Sequence, residues 1–417
     1  MYRLDSKTPI VSNIQYFVKW TVISCIIGGS GGLIGTGFAY GIQWASGFRQ
    51  VHEWTLYLMP LAGLTIVWLY HRFHEDENRG TNIVLESISS TSDISTATGP
   101  LIFITTILTH FVGGSSGREG AALQIGGSFG NWLGKMLDLD EKDKKIAVMC
   151  GMSAVFAALF GTPMAAGIFS MEVISVGVIY YAALVPCLFA SLIGAGISGA
   201  LGISPEAYTV QEIPLFTAST GVFTVFLGIL CAMVSILLCV VLHQSQHLYR
   251  KYIKNPYLRI LAASALFIAL TLLVGTRDYM GSGTALIERA MEGEIGFEVF
   301  ILKMIFTAIV LGAGFKGGEI VPTMCVGAAF GCTVGMIAGF APSLCAACGL
   351  AALFVGVTNC PVSSLLMALE LFGMEAFPYY AVVIAVSFTL SGYYGLYSSQ
   401  KFIYSKIRTE YINRRSH

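Results

Sequence analysis

The sequence predicts an all-α, polytopic membrane protein made of two inverted repeats with broken, tilted helices, and three observations carry that expectation. The chain has 417 residues, 55% of them hydrophobic and only 12% charged, with a mean hydropathy of +0.72. That is too little polar surface to clothe a water-facing globule. Charge is also missing from long stretches: residues 146–205 hold only Glu172, and residues 320–369 and 376–400 hold none. Finally, the chain repeats itself: Cys150-Gly-Met-Ser-Ala-Val-Phe156 returns as Cys348-Gly-Leu-Ala-Ala-Leu-Phe354, Pro163 as Pro361 and Glu172 as Glu370, each at an offset of 198 (348 − 150).

The apolar stretches are too long to be single spans. A fifty-residue helix would measure about 75 Å against a hydrocarbon core of about 30 Å, so each stretch has to double back. Pro322, Pro342, Pro361 and many of the 47 glycines supply the breaks. A β-barrel is excluded, because the stretches are rich in Ala, Gly and Leu without the alternation of a lipid-facing strand. The 24 Lys plus Arg balance 24 Asp plus Glu, so nothing draws the chain toward nucleic acid. The ten cysteines lie almost entirely in apolar sequence and pack as small hydrophobes. Cys345-x-x-Cys348 has the spacing of a metal pair, but no second pair or His stands within reach; no cofactor or metal is expected.

The repeats divide the chain into residues 13–205 and 213–400. Residues 206–212 form an extracellular linker, 1–12 and 401–417 two basic cytosolic tails. The first tail, with Arg3, Lys7 and Pro9, lacks the apolar core and cleavage site of a signal peptide. The first repeat starts at this basic edge and returns to Arg72 and Arg79. The second starts after Glu206 and Glu212, with no Lys or Arg, and crosses to Arg250, Lys251, Lys254 and Arg259. By the positive-inside rule the two repeats are therefore inverted and both termini are cytosolic. The loop 135–145 is undecided, since its four Lys are offset by acids.

Inverted repeats with broken helices form substrate sites near the midplane, where half-helix N-termini aim N–H groups and positive dipole ends at an anion. Gly113-Gly-Ser-Ser-Gly-Arg-Glu-Gly120 opens a helix over 121–137, and Gly312-Ala-Gly-Phe-Lys-Gly-Gly-Glu-Ile-Val-Pro322 opens another running to about Gly339. Both breaks carry a Glu at the turn and are expected to be equivalent in the two repeats.

On these residues the chain resembles the CLC family of chloride channels and anion/proton exchangers. Gly117-Arg-Glu-Gly-Ala121 with Gln124-Ile-Gly-Gly127 is similar to its G-K/R-E-G-P...QIGG signature, Gly318-Glu-Ile-Val-Pro322 stands in the place of its G-x-F-x-P motif, and Gly395-Leu-Tyr397-Ser looks like its late tyrosine segment. Where chloride-type members read G-S-G-I-P, this chain has Gly80-Thr81-Asn82-Ile83-Val84. Val173 replaces the inner proton-relay glutamate, and Glu319 appears inside the second motif. This set is similar to the bacterial fluoride/proton antiporter branch. The resemblance implies a homodimer in the cell membrane with one pathway per subunit, moving fluoride out against protons in. The alternative is a chloride/proton exchanger or chloride channel of the same fold.

Each site residue keeps two readings. An ionised carboxylate at the bilayer centre costs about 2.5–3.5 kcal/mol on insertion scales, so a carboxyl placed there trades its proton as part of its work. Glu119 is then gate and proton carrier; otherwise it is the ion-pair partner of Arg118. Glu319 donates to the anion when protonated and relays the proton, or is a helix-end acid worth about 0.3–1 kcal/mol. Tyr397 donates its hydroxyl to the anion, or is an interfacial aromatic beside Tyr393, Tyr394 and Tyr404. Thr81 binds the anion, or it and Asn82 cap the next helix. Gly120, Ile320 and Val321 offer main-chain donors at the two breaks. Glu172 and Glu370 read as structural.

A rival reading comes from Gly113-Gly-Ser115-Ser-Gly117, which satisfies the G-x-S-x-G of a serine nucleophile and is similar to the G-x-S-G of rhomboid intramembrane proteases. It needs a membrane-embedded His, and the candidates His110, His243 and His247 are poorly placed. No H-E-x-x-H and no Walker sequence is present. The chain is therefore expected to transport rather than catalyse.

Overall fold

The computed structural model describes residues 9–76, 79–90 and 92–416. Among them, sixteen α-helices form two runs of eight. The first comprises α1 (Pro9–Val51), α2 (Met59–Arg72), α3 (Thr81–Ser89), α4 (Thr98–Phe111), α5 (Glu119–Met136), α6 (Glu141–Phe160), α7 (Pro163–Glu172) and α8 (Leu184–Ala200). The second comprises α9 (Ala218–Tyr252), α10 (Pro256–Val274), α11 (Thr284–Met291), α12 (Val299–Ala313), α13 (Ile320–Ala338), α14 (Pro342–Thr358), α15 (Pro361–Phe372) and α16 (Phe377–Leu390). Five of the described helices, α1, α8, α9, α10 and α13, are long and apolar enough to cross a membrane.

The breaks fall where the sequence chemistry puts them. Pro163, Pro342 and Pro361 each open a helix at its first position, where a missing N–H costs nothing. The uncharged stretch 320–369 becomes α13, α14 and α15. At 43 residues α1 is about 64 Å long, so it has to run obliquely through a core of about 30 Å. Small residues let it approach its neighbours: a Cβ on Gly32 would meet Gly194 Cα at 3.0 Å, and one on Gly31 would meet Ala154 Cβ at 2.9 Å.

The two-fold relation between the halves is visible in matched contacts. Gly80 and Gly283, both at positive φ (65° and 91°), precede α3 and α11. Gly126 and Gly130 pack on the backbone of Gly151 and Ala147, just as Gly327 and Gly331 pack on that of Gly349 and Cys345. Glu172, ending α7, accepts hydrogen bonds from the N–H groups of Val362 (3.1 Å) and Ser363 (2.9 Å) at the start of α15. Glu370, on α15, accepts from Met164 and Ala165 (both 2.9 Å) at the start of α7. Each repeat thus caps a helix of the other, which gives the two acids a structural use.

Three features concern the ends of the chain and the segment between the repeats. Helix α1 begins inside the segment read as the N-terminal tail, whose residues 1–8, with Arg3 and Lys7, lie outside the described residues. The 401–417 tail is not a loose basic end: β2 (Lys401–Tyr404) pairs in parallel with β1 (Ser175–Val176) and antiparallel with β3 (Tyr411–Arg415). Lys406 reaches back to donate to Phe388 O (2.9 Å) and Ser391 Oγ (3.1 Å), which holds the hairpin on the helical body. The linker is also ordered, with Glu206 N–H donating to Phe160 O (2.9 Å) and Tyr208 N–H to Leu371 O (2.8 Å).

Removing either cross-repeat cap leaves two helix-start N–H groups without their acceptor, at a cost of about 1–3 kcal/mol where the group is buried, as at Ser363. Glu172→Ala should therefore lower the thermal unfolding midpoint in detergent clearly, and Glu370→Ala, at a more exposed position, by less. An unchanged midpoint in Glu172→Ala would remove the capping role.

Candidate functional site: two helix N-termini facing each other

The site is built where the two broken helices meet. Gly117 N–H donates to Gly318 O (2.6 Å) and Gly318 N–H to Gly117 O (2.7 Å), a reciprocal antiparallel bridge between the loops that open α5 and α13. Only glycine fits here. A Cβ on Gly318 would meet Gly120 N at 2.6 Å, and one on Gly117 would meet Pro322 Cδ at 2.9 Å. The bridge leaves both helix N-termini, with their unpaired donors and positive dipole ends, aimed at one small volume.

The carboxylate of Glu119 occupies that volume. Its Oε2 accepts from Arg118 N–H (3.0 Å) at the start of α5 and from Val321 N–H (3.2 Å) at the start of α13, while Oε1 has no partner in the protein. Glu119 is wholly buried. Arg118 reaches it only at the edge, Nε to Oε1 at 3.8 Å, because the guanidinium is hydrogen-bonded instead to Glu206 of the linker. The Arg118–Glu119 ion pair thus exists, but in a weak form.

The two glutamates are not equivalent in the repeat, contrary to expectation. The bridge aligns Gly117 with Gly318, an offset of 201 (318 − 117), so Glu319 corresponds to Arg118 and Glu119 to Ile320. Glu119 is the first residue of α5, whereas Glu319 immediately precedes α13 and makes no side-chain cap. Its carboxylate turns instead toward Gly120, where an added Cβ would meet Glu319 Oε2 at 3.2 Å and Thr81 Oγ1 at 3.1 Å. Gly120 is therefore the point at which α3, α5 and α13 converge.

Thr81 and Asn82 do not cap α3. The Thr81 hydroxyl donates to Gly120 O (3.3 Å), which also accepts from Gln124 Nε2 (3.1 Å). Asn82 Oδ1 accepts from Ser399 N–H (2.9 Å), and Ser399 donates its hydroxyl to Glu86 (2.7 Å), so α3 is tied to the segment that carries Tyr397. Tyr397 is wholly buried, which excludes an interfacial place; its hydroxyl has no protein partner and lies within electrostatic reach of Glu319 and Glu119.

Glu319, Thr81 and Gln124 line a cavity of about 910 Å³. Its walls carry Arg79, Arg250, Lys254, Arg259 and Lys316, with His243 and His247, against Asp76 and Glu319. Such a cationic funnel concentrates anions ahead of a narrow site. The links Arg118–Glu206 and Asn82–Ser399 join residues 88 and 317 positions apart, and no local pattern in the sequence announces them.

The rival serine reading fails on geometry. Ser115 Oγ is buried and bonds Thr307 Oγ1 (2.9 Å) and Lys303 Nζ (3.0 Å), while His110 Nε2 faces Gly117 O (3.4 Å). Among the described residues no cluster of His, Cys, Asp and Glu has metal-binding geometry.

Facing helix N-termini at the centre of an inverted repeat, reached through a cationic funnel, define a membrane protein for ion transport. The chain belongs to the voltage gated chloride channel family, the CLC family, whose profile matches residues 62–392. It is 29% identical over 400 residues to the chloride/fluoride channel protein of Pseudomonas syringae pv. tomato, covering 94% of this chain and 88% of that one. It superimposes on the crystal structure of a CLC-type fluoride/proton antiporter with a TM-score of 0.89 at 28% identity, covering 92% and 98% of the two chains. A slow cyanobacterial Cl⁻/H⁺ antiporter shares the fold at a TM-score of 0.77 and 18% identity, over 89% and 94%.

Proposed function

We propose that the protein exports fluoride in exchange for entering protons, with Glu119 as both gate and proton carrier. The observation that carries this reading is the Glu119 carboxylate seated between the N-termini of α5 and α13, where a free anion would make the same contacts. Ionised, it fills the anion place; protonated, it loses its attraction to the helix ends and yields that place. Anion and proton then cannot hold the site together, which is the basis of exchange.

Fluoride is small and tightly hydrated, so its site has to replace water with strong donors at short range. Protonated Glu319 and the Tyr397 hydroxyl are such donors, and the main-chain N–H groups of Gly120, Ile320 and Val321 complete the ring. The Thr81 hydroxyl, which donates to the Gly120 carbonyl, gives up that bond to donate to the anion as it enters from the funnel. The fluoride/proton antiporter among its relatives supports fluoride as the substrate, and the chloride/fluoride channel protein is named for both anions. We assign both termini and the basic funnel to the cytosol, residues 206–212 to the outside, and one pathway to each subunit of a homodimer.

Proteoliposomes loaded with fluoride or chloride test the substrate directly. Fluoride efflux should drive proton uptake and chloride efflux should not; chloride exchange at an equal rate would make the protein a chloride/proton exchanger. In the same assay Glu119→Gln, which cannot titrate, should reduce proton flux to background and slow the anion. Proton uptake at the native rate in this variant would take Glu119 out of the mechanism.

The same vesicles separate the roles of Glu319. Glu319→Gln keeps a donor and should bind fluoride without coupling it to protons. Glu319→Ala should weaken fluoride binding about tenfold or more, because a hydrogen bond to an ion is worth about 1.5–3 kcal/mol. Thr81→Ser keeps the hydroxyl and should be mild. Native exchange in Glu319→Ala would return Glu319 to a helix-end acid.

Orientation is read from cysteine labelling in a Cys25→Ala background, since Cys25 is the one exposed cysteine among those described. A cysteine at exposed Thr209 should react with an impermeant thiol reagent from outside intact cells, and one at exposed Lys254 should not. The reverse pattern overturns the assignment of sides.

A further inference from the structure

Glu206 lies in the linker between the two repeats, far in sequence from the gate. Its carboxylate accepts the charge-assisted hydrogen bond of the Arg118 guanidinium. Its main chain is fixed on Phe160 O, and Arg118 stacks over the Phe160 ring at 5.7 Å. The two side chains are only 14% and 17% exposed, so solvent screens the pair weakly. Arg118 is also the residue from which α5 starts, with its Nε 3.8 Å from the Glu119 oxygen that lacks a partner. One guanidinium thus stands between two carboxylates, and the linker carboxylate holds it.

We propose that Glu206 is a positioning residue for the Glu119 gate: by holding Arg118 on the linker side, it withholds that cation from Glu119 and sets the pH range over which the gate releases. The proposal rests on the role given to Glu119 above. If Arg118 closed on Glu119, the closer ion pair would hold the ionised carboxylate in the anion place, and more acid would be needed to release it. Glu206 prevents this closure while keeping Arg118 close enough to exclude an uncompensated charge.

The groups around the gate fix the sign of the effect. On the linker side stand Arg118, Glu206 and Tyr208, with Glu288 of α11 beyond Tyr208; His110 of α4 faces the Gly117 carbonyl. From the other side come Glu319 before α13 and Tyr397 after α16. Replacing Glu206 by Gln alters only the linker side. It removes one negative charge and frees Arg118 for Glu119, and both changes favour ionised Glu119. More acid is then needed to release the gate.

The test is fluoride/proton exchange by the full-length protein in liposomes, measured at a series of pH values equal on both sides. Glu206→Gln should shift the midpoint of the pH–rate curve downward by about one unit, with the native rate recovered at the acid end. Glu206→Asp, which keeps the charge at shorter reach, should fall between Glu206→Gln and the native protein. A purely structural role would lower the rate at every pH without moving the midpoint, and that result in Glu206→Gln overturns the proposal. Should Glu206→Gln give no flux at any pH, Glu206→Asp decides: a shifted midpoint supports the proposal and a native one overturns it. Proton flux surviving in Glu119→Gln would instead sink the underlying reading. With that reading intact, an unmoved midpoint sinks this inference alone.

Discussion

The bridge between Gly117 and Gly318 is the contact on which the site depends. Two backbone hydrogen bonds of 2.6 and 2.7 Å hold the ends of two interrupted helices face to face. Each N-terminus alone is a weak anion site, with an effective half charge that solvent would screen. Opposed in a dry interior, the two act on the same volume, and the Glu119 carboxylate bonded to both shows what such a volume takes. The glycines follow from this: a methyl at either bridge position would collide with Gly120 N or Pro322.

Interrupting helices inside a membrane exposes carbonyl ends as well as N–H ends, and the chain answers that cost with partly or wholly buried cations. Arg49 donates to His110 O (2.9 Å) in the last turn of α4, and Arg259 donates to Ala313 O (2.9 Å) in the last turn of α12. Lys303 donates to Tyr279 O (3.2 Å) and Gly281 O (2.7 Å), in the connection before α11. Arg49 and Arg259 lie against the negative ends of helix dipoles, and Lys303 against loop carbonyls, rather than against acids. The positive ends are left for acids: Glu119 at the bridge, and the caps Glu172 and Glu370 between repeats. The division keeps the central carboxylates from being consumed by structural ion pairs.

Much of this was legible in the sequence because membrane solvation leaves few choices. Long uncharged runs have to fold back, prolines have to open helices, and the glycine-rich breaks sat in corresponding places, so α5, α13 and the proline starts of α7, α14 and α15 were readable. The register between repeats was not. The downstream matches have an offset of 198, but the bridge imposes 201. The difference is taken up between α5 and α6: the packed pair Gly130 and Ala147 is 17 residues apart, whereas its counterpart Gly331 and Cys345 is 14 apart. The C-terminal strands escaped notice because a basic, polar end reads as solvated. What orders them is the docking of Lys406 and the two-residue strand β1, neither of which has a local signature.

The one-residue register has a consequence for how a symmetric scaffold does asymmetric work. Had Glu119 and Glu319 been equivalent, both carboxylates would have turned into the bridge volume, and two like charges at that distance cannot both be ionised. With Glu119 first in its helix and Glu319 one position earlier, the first enters the bridge while the second faces Gly120 and the cationic funnel. The pair is thereby arranged in series from the linker side to the funnel side rather than side by side. At the equivalent of the Glu319 position the first repeat carries Arg118, a cation drawn outward by Glu206. The two halves thus share backbone geometry but present opposite charges next to the bridge, Arg118 in one and Glu319 in the other.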